Sequence, residues 1–159
     1  MTKKVIAGIA IGVAAVVLIA AMVFFRRQPL TMEDHPRVSY IGVTQGIDGA
    51  ACSADIPKQA IPDELSDTLV SLFANAEVRR AFPSPTESYG NTITDDTVYI
   101  DIRISLGHGS MHVALSNVPD YNFARGDHEY SLVDSKKLYQ DVYEALPPDL
   151  ISEYMEPWE

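Results

Sequence analysis

One cysteine in 159 residues excludes an internal disulfide, so this chain is not a cross-linked secreted scaffold. That residue, Cys52, lies in "GAACSADI" with no basic neighbour to activate its thiol, which points to a small strand residue. Positive charge is scarce as well: 12 basic residues stand against 22 acidic ones, for a net charge of −10. Four of those 12 flank an apolar run near the start, leaving eight against all 22 acidic residues in the remainder. An acidic excess of this size repels nucleic acid and anionic headgroups, so no nucleic acid is expected as a partner. Its simplest role is solubility. Internal repeats and low-complexity tracts are missing, and so are a phosphate loop, a dinucleotide fingerprint, a calcium loop and a zinc motif. With no catalytic constellation in view, the chain is read as non-enzymatic, with no catalytic, cofactor-binding or metal-ligating residue assigned.

What is present begins with "VIAGIAIGVAAVVLIAAMVFF", Val5 to Phe25, which is 21 residues without a charge, an amide or a proline. As a helix it would rise about 31 Å, matching a bilayer core of roughly 30 Å. Lys3 and Lys4 precede it, and Arg26 and Arg27 follow. The run is too long for a signal-peptide core and no Ala-x-Ala site follows it. It is therefore expected to be an uncleaved, single-pass signal anchor. The flanking charges nearly balance, and the signal-like start favours an extracytoplasmic C-terminal domain, with the cytoplasmic orientation left open. Gly8 and Gly12 form a Gly-x-x-x-Gly pair through which two copies could associate.

The rest divides into a linker at 28–37, an α+β domain at 38–147 and a tail at 148–159 with room for one helical turn. "VSYIGVT" and "AACSADI" read as strands around the reversal "QGIDG". "PDELSDTLVSLFANAEVRR" puts Leu65, Leu69, Leu72, Phe73 and Ala76 on one helical face, with Asp63 and Glu64 at its start and Arg79 and Arg80 at its end. The two prolines of "FPSPTESYG" stop it.

In "TVYIDIRISLGHGSMHVALSNV" apolar residues alternate on both sides of the glycines, which predicts a hairpin. With His108 and Gly109 as the central turn residues, Leu106 faces Met111, Ile104 faces Val113 and Ile102 faces Leu115. "DYNFA" and "HEYSLV" follow as shorter strands. A second helix opens at "DSKKLYQDVYEAL", with Asp134 as N-cap, a staple from Val133 to Leu138, and an inward stripe of Leu138, Val142, Ala145 and Leu146. The fold class expected is α+β: an N-terminal single transmembrane helix, then an antiparallel sheet of about five or six strands packed on two helices.

Four groups invite chemistry, and each has a plainer reading. His108 and His112 have the i, i+4 spacing of a helical metal site, but a hairpin separates them and no third ligand is indicated. "GHGS" at 107–110 places a serine near a histidine without the Gly-x-Ser-x-Gly pattern of a nucleophile elbow. Asp95 and Asp96 read as turn formers. Arg125-Gly126-Asp127, an adhesion signal in other contexts, reads as a turn between two strands.

The lysine-led anchor, "IPDELSDTLVSLFANA", the paired strands "YIDIRI" and "MHVAL", and "EYSLVDSKKLYQDVYEAL" together resemble small membrane-anchored extracytoplasmic domains of unknown function from Gram-positive bacteria. That resemblance implies a fold and a location and carries no activity. The function expected is a membrane-anchored, non-catalytic interaction module with a protein partner. Its contacts would be made by polar residues on the second sheet face or by the tail Leu150 to Trp158. The alternatives are a small-ligand receptor or an enzyme with an unrecognised site, or a cytoplasmic-facing regulatory subunit of a membrane complex.

Overall fold

The computed structural model describes residues 3–32, 35–81, 93–118, 122–126 and 128–157. Helix α1 runs from Lys3 to Phe24, and its side chains are described from Ala10 onward, all of them exposed. Among the described residues no helix is long and apolar enough to cross a membrane. The single-pass signal anchor expected over Val5 to Phe25 is therefore corrected, and the membrane localisation and extracytoplasmic placement built on it fall with it.

Among the described residues nine strands follow in one antiparallel sheet, where five or six were expected. They are β1 (Gln28–Pro29), β2 (Arg37–Ile47), β3 (Ala50–Pro57), β4 (Glu77–Arg80), β5 (Val98–Leu106), β6 (Gly109–Ser116), β7 (Phe123–Arg125), β8 (Glu129–Leu132) and β9 (Met155–Pro157). Their spatial order is β1-β4-β8-β7-β6-β5-β2-β3-β9, so the first and last strands form the two margins. The helices α2 (Asp63–Ala74), α3 (Ser135–Ala145) and α4 (Pro148–Tyr154), with a single 3-10 turn at Lys58–Ala60, complete the described elements.

The core lies between the sheet and α2 and α3. From the sheet come Ile41, Val43, Ile56, Ile100, Ile102, Ile104, Val113 and Leu115, alternate residues whose period of two sends them all to one face. Against them α2 turns Leu65, Leu69 and Phe73, the residues its 3.6 periodicity selects, and α3 turns Leu138, Tyr139 and Val142. The buried Ser66 accepts a 3.0 Å hydrogen bond from the amide of Val38 and so ties α2 to β2.

Several local expectations change. The first soluble helix ends at Ala74; Glu77 to Arg80, expected as its last turn, form β4 and pair with β8, Val78 opposite Leu132. Val78 is fully buried there, a stronger contribution than a frayed helical turn could make. The central hairpin keeps the expected faces but shifts its pairing by two residues. Ile104 faces Met111, Ile102 faces Val113 and Ile100 faces Leu115, so Gly107 and His108 form the turn. The segment 28–37 contributes β1 and buries Leu30, and the segment 148–159 contributes α4 and β9. Leu150, Ile151, Tyr154 and Met155 pack against the core, so this part of the tail is not a free contact surface.

Candidate functional site

The side of the sheet away from α2 and α3 carries the other half of each strand. Tyr40 and Arg103 are paired across β2 and β5, and Arg103 is paired in turn with His112 on β6 and His112 with Arg125 on β7. These neighbours are organised by contacts that alternate charge and aromatic ring. The Arg103 guanidinium lies over the Tyr40 ring at 5.0 Å, and His112 Nε2 is 2.9 Å from Asp101 Oδ1. The His112 ring meets Phe123 edge-on at 5.6 Å. Arg125 lies over the same Phe123 at 5.4 Å and reaches Glu129 at 2.7 Å.

Tyr40 is placed by a glycine. Gly42 follows on the same face, and a Cβ there would come within 2.7 Å of the Tyr40 hydroxyl. Without that Cβ the ring lies along the strand and donates its hydroxyl proton to Asp55 on β3. Burial, more than any other cause, pushes the Tyr40 phenol well above its ordinary value; the Asp55 hydrogen bond and the charges of Asp55 and Asp101 add to this, and Arg103 opposes it. The result is a neutral, fixed aromatic at the centre of the patch.

Part of this face is covered. Tyr99, Ala114 and Phe123 form a small second core under Ile93, so the exposed portion centres on β2, β3 and β5, where Arg103 and Asp55 stand open to solvent.

The residues singled out in the sequence are dispersed. His112 belongs to the patch, while His108 sits in the turn at the tip of the β5–β6 hairpin. Among the described residues no group of three or more His, Cys, Asp or Glu gathers as a metal would require. Cys52 is a half-buried strand residue opposite Gln45 and Pro157. Asp95 accepts a 2.8 Å hydrogen bond from the amide of Gly49, pinning the β2–β3 turn.

In the adhesion-like tripeptide, Arg125 is engaged by Glu129 and Phe123, Gly126 donates to the His128 carbonyl at 3.1 Å, and Asp127 lies outside the described residues. A Cβ added at Gly12 of α1 would meet nothing within 4 Å beyond its own stretch of helix, and the surroundings of Gly8 lie outside the described residues.

Sequence reasoning passed over Tyr40 and Asp55, while Arg103 falls on the second sheet face whose polar residues it offered as contacts. One signal for them exists: Tyr40 and Gly42 sit two apart in a strand, the spacing at which a missing side chain makes room for a neighbouring ring. Comparison with protein-family models, with characterised proteins and with solved structures finds no match.

Proposed function

We propose that this chain is a non-catalytic protein-interaction module whose contact surface is the helix-free face of the sheet. One observation carries the reading: an ordered patch of tyrosine, arginine and histidine side chains on a face that no described helix covers. Tyrosine and arginine are enriched among the residues that dominate binding at protein interfaces: tyrosine brings a large area with few rotamers to freeze, and arginine brings a planar, pre-organised fork of donors. Here the freezing has largely been done in the unbound chain, since Arg103 already rests on Tyr40 and Tyr40 on Asp55. The partner is a protein whose surface offers both signs of charge, to meet Arg103 and Asp55, which stand open to solvent in the patch.

Site-specific photo-crosslinking in the source cell tests this reading, with the probe at Ser105 inside the patch and at Glu144 on the exposed side of α3. The expected result is one partner, identified by mass spectrometry, from position 105 and none from position 144. Arg103→Glu should then weaken the purified complex about tenfold or more. Equal labelling from both positions, or an unchanged affinity in Arg103→Glu, would overturn the proposal.

A further inference from the structure

At one end of the sheet a groove of about 370 Å³ opens on the core side, and no residue of α2 or α3 lines it. Leu30, Val78 and Met111, almost wholly buried, form its apolar floor. Above the floor stand Arg80 of β4, Tyr130 of β8, and His108 and His128 from the tips of two separate hairpins. Arg80 and Tyr130 are direct partners in the β4–β8 register, so they project on the same side as Val78.

Among the described residues the fixed charge lining this groove, Arg80, is opposite in sign to that of the chain. Among the described residues no carboxylate lines it, although the sequence carries 22 acidic side chains. The strand carboxylates Glu77 and Glu129 are engaged elsewhere, by Arg27 at 3.6 Å and by Arg125 at 2.7 Å. Arg80 makes no ion pair among the described residues; its guanidinium lies over the ring of Phe24 at 5.3 Å. The acidic excess of the chain does not abolish attraction at this point. Beyond a Debye length of about 8 Å at physiological salt, the remote carboxylates are screened, and the local cation decides.

We propose that this groove binds a small organic anion, with its carboxylate or phosphate group at Arg80, His108 and His128 and a short apolar body on Leu30, Val78 and Met111. The guanidinium fork matches either anion with two parallel hydrogen bonds, and the two imidazoles add donors from a second direction. A volume of about 370 Å³ falls at the small end of the range typical of ligand sites.

The test is a titration of the full chain by amide chemical shifts with hexanoate, hexyl phosphate and the neutral control hexanol. Saturable shifts confined to residues near Ser110, Gly126 and Tyr130 are expected from at least one anion, and whichever binds identifies the head group. Hexanol should bind about tenfold more weakly, and Arg80→Gln should weaken the anion by about the same factor, as expected for a lost charge-assisted hydrogen bond. Should Arg80→Gln fail to fold, His108→Gln and His128→Gln carry the same expectation. No saturable shift from either anion, equal binding of hexanol, or unchanged affinity in the folded variants would overturn the proposal.

Discussion

Tyr40 shows how much one missing side chain can organise. Its raised phenol pKa means that the fold favours the neutral ring. That contribution is complete below about pH 10, where an unfolded tyrosine ionises, and is lost as the pH climbs further. Gly42→Val should push the ring off Asp55, because the new Cβ would meet the hydroxyl at 2.7 Å. The expected outcome is a phenol that ionises at lower pH, read by ultraviolet titration against Tyr40→Phe as the reference.

Asp134 offers a second test. It occupies the N-cap position of α3 with a left-handed backbone, φ 54° and ψ 35°, and makes no side-chain capping bond. The amides of Lys137 and Leu138 instead donate to its backbone carbonyl at 3.0 and 3.2 Å. Asp134→Gly should therefore gain about 1 kcal/mol in a urea melt, since glycine adopts this conformation without the steric cost and no capping bond is lost. A loss of stability would mean that the carboxylate does cap the helix in solution.

At the level of elements, the margins of the sheet are its exposed flank, and both are closed by short strands that contain proline. β1 ends in Pro29 and β9 in Pro157, residues that cannot donate to a further ladder. Stopping the chain after Tyr154 should uncover β3 at Cys52 to Ala54, the stretch β9 protects. Faster hydrogen exchange at those amides and a concentration-dependent increase in mass are the expected readouts, the first by mass spectrometry and the second by light scattering.

How legible these elements were depended on their length and repetition. The faces of β5 and β6 could be read because three apolar alternations on each side agree. Their register could not, because a slip of two residues preserves every inward and outward assignment and only a slip of one mixes them. β4 was hidden because "EVRR" offers a single apolar residue directly after a strongly periodic helix. The groove was hidden for another reason: Arg80, His108, His128 and Tyr130 come from three separate stretches that only strand pairing brings together.

The whole molecule combines a packed sheet with a helix that packs little. On α1, Ile11, Val13, Val16, Val17 and Val23 are each more than half exposed, and an apolar surface this continuous associates with something in water. Sedimentation should find the full chain self-associating at micromolar concentration, and removal of residues 1–27 should leave a monomer that keeps the sheet. A monomeric full chain would show that α1 hides its apolar side by other means.

The placement of β1 and β9 at opposite margins has a further consequence. Nine strands leave eight gaps between them, which at about 4.8 Å each puts the two margins roughly 38 Å apart before twist. The first and last strands of this fold therefore lie far apart, unlike the adjacent termini of many small domains. A circular permutant would need a bridge of about a dozen extended residues to rejoin them. Anything fused before β1 would stand a full sheet width from anything fused after β9.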